Sequence, residues 1–409
     1  MKTRKLFHLF SLMVIVSIAL TSCAPATDTP AATEAPVTEM PATEAPATEM
    51  PVTEMPATEM PATEAPAAEI DPELVAAAQA EGMLTTIALP HDWCNYGTMI
   101  DSFKAKYGIE VNELDPGAGS AEELEAVKAN KDNPGPQAPD VVDIGIGLAP
   151  GAKDEGLFMP YKVSTWDDIP EGAKDAEGYW YGDYYGVLSF EVNTAEVANP
   201  PAEYADLLKP EYNGQVALSG DPLTSNAAIL TVWAAGLATG ATGEEAAQAG
   251  LEFFKQLNEA GNYVPIDGDS RTVGIGETPI LIDWSYNSIA NDIALAGNPD
   301  LVTNVPTKGI IAGVYAQAIS AYAPHPNAAK LWMEYLYSDE GQLTYASGFC
   351  YPIRLDAMNA AGSVPAEVFE QLPSIEGAYF PTIEEIEAAK TVIVEGWPTV
   401  VGVEVKPSP

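Results

Sequence analysis

The sequence predicts an α/β protein built as two lobes with two long connections between them. Three observations carry this reading. Residues 83–144 alternate strand, helix, strand, helix, strand. A second alternation spans about 190–310, and a strand near 313–322 then leads into a helix near 327–337. Alternation of this kind gives parallel strands covered by helices.

The elements follow in order. Asp71 caps a first helix, Pro72 suits its first turn, and Gly82 stops it. Leu84–Ala88 is a short apolar strand. Tyr96, Met99, Ile100, Phe103 and Tyr107 recur at helical spacing, with Gly108 as the stop. Ile109–Leu114 is a second strand. Ser120-Ala121-Glu122-Glu123 reads as a capping box opening a helix to about Asn130. Asp140–Ile144 is a third strand. In the second block, Gly214–Leu218 and Pro279–Trp284 read as strands. Helices start at Thr224 or Ser225 and at Thr242.

Charge and composition narrow the function. The 409 residues carry 18 basic and 59 acidic side chains, a formal charge of −41. A nucleic-acid binder or a polybasic membrane-surface protein needs the opposite sign. Three His and three Cys leave little for zinc or a disulfide scaffold. Residues 1–22 hold Lys2, Arg4, Lys5 and an apolar run from Leu6 to Leu20, as a secretory signal does. They end in Leu20-Thr21-Ser22-Cys23, which resembles a bacterial lipoprotein lipobox and implies lipidation of Cys23. Residues 23–70 repeat a five-residue Pro/Thr/Glu unit, with Glu at 34, 39, 44 and onward to 69. That period matches neither helix nor strand, and like charges extend it. It reads as a disordered tether. Residues 71–409 keep a charge of −35.

The order of these parts resembles a known family. "EGMLTTIALP" (residues 81–90), "PDVVDIG" (139–145), "YYGVLSFEVN" (184–193) and above all "AYAPHPNAAKLWMEYLYSDEGQ" (321–342) are similar to bacterial extracellular solute-binding proteins of ATP-binding-cassette importers. The resembling group is the spermidine/putrescine, iron and thiamine type. The resemblance implies the type II periplasmic-binding-protein fold: two lobes, a two-strand hinge and a ligand cleft that closes like a jaw. It divides the folded part into residues 71–187 (first lobe), 188–312 (second lobe) and 313–409 (return to the first lobe, with C-terminal helices). It implies no catalytic residues, no cofactor, a monomer and a permease partner.

Ligands of such sheets bind beyond the carboxyl ends of the strands, which directs attention to the loops 89–94, 116–120 and 145–147. Asp92 and Trp93 offer a carboxylate and a ring face to an amine; Asp92 is equally placed to cap the following helix. Ser120 and Ser225 are helix caps or anion-binding helix starts. Asp143 and Asp283 interrupt apolar strands, and a buried acid needs a partner from the protein or from a ligand. One acid from each lobe in a shared cleft suits a diamine or polyamine. Trp180 and Tyr185 belong to an aromatic crowd that suits either a cation or hinge packing. Trp284 and Tyr315 flank the same region. The Tyr184-Tyr185 pair resembles that of iron-binding relatives, but the matching His and acid context is absent. In the resembling fold Cys94 and Cys350 both fall in the first lobe, and an exported protein with two remaining cysteines implies one disulfide.

The resulting expectation is a lipid-anchored, extracytoplasmic receptor for a small solute. A polyamine or other organic cation is favoured, because Arg271 and Arg354 are the only arginines after residue 70. The alternative solute carries phosphate or carboxylate. Rivals of other classes are a secreted hydrolase using paired carboxylates and a stalked surface adhesin.

Overall fold

The computed structural model describes residues 70–408. Cys23, the signal-like segment and the repeat up to residue 69 lie outside the described residues. In chain order the first lobe contains α1 (Pro72–Glu81), β1 (Met83–Ile87), α2 (Tyr96–Tyr107), β2 (Glu110–Leu114), α3 (Ser120–Asn130), β3 (Val141–Gly145), α4 (Ala149–Asp154), β4 (Phe158–Met159) and the start of β5 (Tyr181–Asn193). The second lobe adds β6 (Val216–Leu218), α5 (Asn226–Leu237), α6 (Gly243–Glu259), β7 (Tyr263–Asp267), α7 (Ser270–Gly274), β8 (Ile280–Trp284), α8 (Ser285–Leu295) and β9 (Leu301–Asn304). The chain returns along β10 (Ala312–Ser320). It then continues through α9 (Pro326–Leu336), α10 (Asp339–Ser347), β11 (Tyr351–Pro352), α11 (Leu355–Ala361), α12 (Ala366–Gln371) and α13 (Ile383–Val400).

Local signals set the element ends. The Asp71 carboxylate accepts the Glu73 N–H at 2.9 Å, and Gly82 adopts a left-handed conformation that ends α1. The capping box at α3 is displaced by one residue from the sequence expectation. Gly119 is the cap, Glu122 reaches back to its N–H at 2.8 Å, and Ser120 is the first helical residue. The freed Ser120 hydroxyl accepts the N–H of Gly145 at 3.1 Å instead.

The first lobe departs from a simple three-strand parallel sheet. β1 and β2 pair in parallel, but β3 pairs antiparallel with β10. Asp140 makes the junction between these pieces. Its carboxylate accepts the Thr85 N–H at 2.6 Å, where a neighbouring strand would supply a carbonyl, and its own N–H donates to Thr85 O at 2.8 Å. The same carboxylate faces His325 Nδ1 at 2.8 Å, which gives that histidine a structural role.

β5 is long enough to serve both lobes. Its first half pairs with β10 and β11, and its second half with β8 and β9. Gly186 and Gly313 sit opposite each other where β5 meets β10. The Tyr286 ring lies against Gly186 and the Trp284 ring against Gly313, so a Cβ at either position would overlap an aromatic ring. The crossover is therefore packed by aromatic rings in space that glycine leaves open. α9 packs on α1 in the first lobe, whereas α13 packs on α5 and α6 of the second. The start of α13 also touches the 146–148 turn, where Ile386 fills the space above Gly147.

Cys94 and Cys350 form a disulfide with Cα atoms 5.5 Å apart, bridging 256 residues. It ties the loop carrying Asp92 and Trp93 to the segment between α10 and β11. Both cysteines are fully buried. Cys94→Ser combined with Cys350→Ser is expected to lower stability by about 3–5 kcal/mol in chemical denaturation. Thiol labelling of the unreduced, denatured protein should find neither residue reactive.

Candidate functional site

A cleft of about 810 Å³ lies between the lobes, framed by loops after β1, β2, β6, β7 and β8. Its acidity is its leading feature. Ten carboxylates line it, five from each lobe: Asp92, Asp115, Glu122, Glu123 and Asp143, then Glu191, Asp221, Asp267, Asp269 and Asp283. Among the described residues lining it, one is basic, Lys406. Neither Arg271 nor Arg354 lines it. Arg354 is buried in ion pairs with Asp168 and Asp339 at 2.6 and 3.0 Å.

Two of these acids are buried with one oxygen uncommitted. Asp143 Oδ2 accepts the hydroxyls of Tyr184 (2.8 Å) and Tyr96 (2.9 Å), while its Oδ1 has no partner. Asp283 Oδ2 accepts Asn287 Nδ2 at 3.0 Å, and its Oδ1 likewise has none. Asp143 comes from the first lobe and Asp283 from the second, and both line the cleft. Burial pushes the Asp283 carboxyl up to about 6. Burial, then the Asp183 charge, raises Asp143 well above the carboxylate range. Glu191, buried against Asn291, is pushed up to about 8 by desolvation.

Behind Asp143 lies a second buried acid that sequence reasoning missed. Asp183 Oδ2 accepts the Tyr345 hydroxyl at 3.0 Å and lies 3.2 Å from the Tyr96 hydroxyl. Tyr96 also receives Gln317 Nε2 at 2.9 Å. The single Tyr96 proton is shared between Asp143 and Asp183, each of which also has a hydroxyl donor of its own, Tyr184 and Tyr345. Desolvation holds Asp183 up at about 7.

The remaining sequence candidates separate cleanly. Trp93 lines the cleft; its Nε1 donates to Tyr184 Oη at 2.7 Å, and its ring meets Tyr286 and Tyr315 edge-on at 5.6 and 5.5 Å. Tyr315 also lines the cleft and stacks on Tyr184 at 5.4 Å. Asp92 is exposed on the rim and makes no capping bond, so it is not a helix cap. Ser120 and Ser225 line the cleft with their hydroxyls engaged. Ser225 donates to Ser219 O at 2.9 Å and caps α5 through the Ala228 N–H.

Three candidates lie outside the cleft lining. Trp180 is buried in the first-lobe core. Trp284 is fully buried at the crossover, donating to Tyr315 Oη at 3.2 Å. Tyr185 points away from Tyr184, as alternate strand residues do, and stacks on Tyr351 at 5.1 Å. Tyr184 and Tyr185 therefore do not converge on one ion.

The lobes touch around the cleft. Asn226, at the start of α5, packs against Gly145 of β3, and a Cβ on Gly145 would overlap it. Gly119 faces the Thr224 carbonyl across the same gap. The two lobes thus meet along this edge of the cleft.

Two predictions follow from this geometry. The raised carboxyls hold protons in the folded state that the unfolded chain releases near pH 4. Their stabilising contribution is thus present at low pH and lost as pH rises through about 6, 7 and 8. The solute-free protein should melt about 5 °C or more lower at pH 8 than at pH 5 in a calorimetric scan. Gly145→Ala should weaken solute binding about tenfold by propping the lobes apart, with the melting temperature held within a few degrees.

Comparison with known proteins fits this architecture. The sequence profile of the bacterial extracellular solute-binding protein family matches residues 137–382, more than half of the chain. A probable ABC transporter periplasmic-binding protein of Sinorhizobium fredii is 28% identical over 254 residues, which is 59% of this chain and 66% of that relative. The chain thus spans just under two thirds of that relative's length. Among solved structures, the periplasmic binding protein AfuA from Actinobacillus pleuropneumoniae, with fructose-6-phosphate bound, superposes with a TM-score of 0.60 at 20% identity. That match covers 78% of this chain and 98% of AfuA. A periplasmic thiamin-binding protein gives 0.60 at 21% identity, covering 78% and 96%. These likenesses establish the type II periplasmic-binding fold, and the profile match establishes the family. The chain belongs to the bacterial extracellular solute-binding proteins.

Proposed function

We propose that the protein is a lipid-anchored receptor, held outside the cytoplasm through Cys23 and its repeat tether, that captures a small organic cation and hands it to an ABC importer permease. A polyamine or related amine is the solute. The observation that carries the reading is the pair of buried carboxylates, Asp143 and Asp283. One comes from each lobe of the cleft, and each has an oxygen without a protein partner. A buried acceptor left open costs stability; an ammonium donor from a solute would supply the missing bond at both ends. Trp93 and Tyr315 line the same cleft and add aromatic surface that suits a cation.

The anionic alternative has less support. An anion would seek the N-terminus of α3, but Glu122 already places a carboxylate on the Gly119 N–H there. Ten acids would repel the anion, while the same field draws a cation in. The permease, the delivery step and the lipid anchor rest on likeness to the transport relatives and on the Leu20-Thr21-Ser22-Cys23 motif.

Titration calorimetry with putrescine and spermidine is expected to give dissociation constants of about 1 μM or tighter. Affinity should rise from pH 5 to pH 8 as the cleft carboxyls ionise. Asp283→Asn should weaken binding at least about tenfold while leaving the melting temperature equal or higher. Binding of sugar phosphates with no response to either amine would refute the reading.

A further inference from the structure

Past α13, which packs on α5 and α6, the chain turns toward the second-lobe sheet. Gly402, in a left-handed conformation, turns it, and the Trp397 Nε1 donates to Val403 O at 3.0 Å. The next residues run beside β7, the outermost strand of the second-lobe sheet. Asp267 N–H donates to Lys406 O at 2.7 Å, and Lys406 N–H donates to Pro265 O at 3.1 Å, which makes a short parallel pairing. Val405 is buried, and Ser408 Oγ donates to Asp269 Oδ2 at 3.1 Å. Val405, Lys406, Pro407 and Ser408 all line the cleft.

We propose that this C-terminal segment is a wall of the solute cleft that sets its affinity for cations, with Lys406 as a built-in counter-charge. The inference rests on the cleft being the solute site. Two physical effects of opposite sign follow. Pairing to β7 covers a sheet edge and holds the segment against Asp267 and Asp269, closing one side of the cleft. Lys406 brings a positive charge to a lining with ten carboxylates and offsets part of the field that attracts a cation. The wall tightens binding of any solute, while the lysine tempers it for cations. A receptor that must also release its solute gains from that balance.

Three variants separate the effects. Lys406→Gln keeps the wall and removes the charge. Lys406→Pro also removes the N–H donated to Pro265 O. A chain ending at Val405 loses the pairing residue and Ser408 but keeps the buried valine. Binding of spermidine, putrescine, fructose 6-phosphate and citrate is measured by calorimetry at low salt, with melting temperatures as a folding control.

Lys406→Gln is expected to bind spermidine about threefold tighter than the unaltered protein. Lys406→Pro and the shortened chain should each bind about tenfold more weakly than Lys406→Gln. If all three stay within twofold of the unaltered protein, the segment is not part of the site. If only fructose 6-phosphate or citrate binds, the cation reading fails, and the same comparison on that solute decides the wall: a tenfold loss on unpairing keeps it, no loss removes it. If no probe binds the unaltered protein, the cleft reading fails and the inference falls with it.

Discussion

The antiparallel ladder between β5 and β10 carries the rest of the molecule. Among the described residues, β5 is the one strand that pairs with partners in both lobes, and β10 brings the chain back beside it. The register puts Tyr184 opposite Tyr315 and Gly186 opposite Gly313. The tyrosines build the cleft floor. The glycines, one step further along, leave room for Tyr286 and Trp284 of the second lobe. A two-strand crossover is a thin joint, and aromatic rings seated on glycine make it a defined one.

That joint sits on buried acids. Asp143, Asp183, Asp283 and Glu191 all lie at or near it, and desolvation raises each of them. Asp183 has tyrosine and backbone partners and serves the core network. Asp143 and Asp283 are only half satisfied. A core optimised for stability would cap those oxygens or replace the acids. In the proposed reading, a solute bound in the cleft completes those two oxygens. The disulfide has a matching place, since it anchors the loop that carries Trp93 and so fixes the ring wall of the cleft.

The C-terminal region joins the lobes a third time. α13 is laid along α5 and α6, yet its first turn meets the 146–148 turn of the first lobe. Any opening of the jaw must slide that contact. The segment after it reaches the cleft on the β7 side. The two lobes are thus connected through packed side chains of α13 as well as through β5 and β10.

Much of this was readable in the residues, and the reason is local physics. Helix stops at Gly82 and Gly108, the Asp71 cap and the alternation of strands and helices depend on near neighbours along the chain. The rule that ligands meet the loops after strands pointed to Asp92, Trp93 and Ser120, and an acid inside an apolar strand pointed to Asp143 and Asp283. Packing decided the rest. Fifty acids follow residue 70, and no spacing tells which ten face one cleft. Trp180 suits either a cation or hinge packing in the sequence and is buried in the core in space, while Trp284 is buried against Gly313 at the crossover. Asp183, Glu191 and the tail at Lys406 take their roles from partners about 100 to 160 residues away in the chain, which no local pattern shows. Local preference is encoded within a few residues, whereas burial and an unpaired oxygen exist only once distant segments have closed around them.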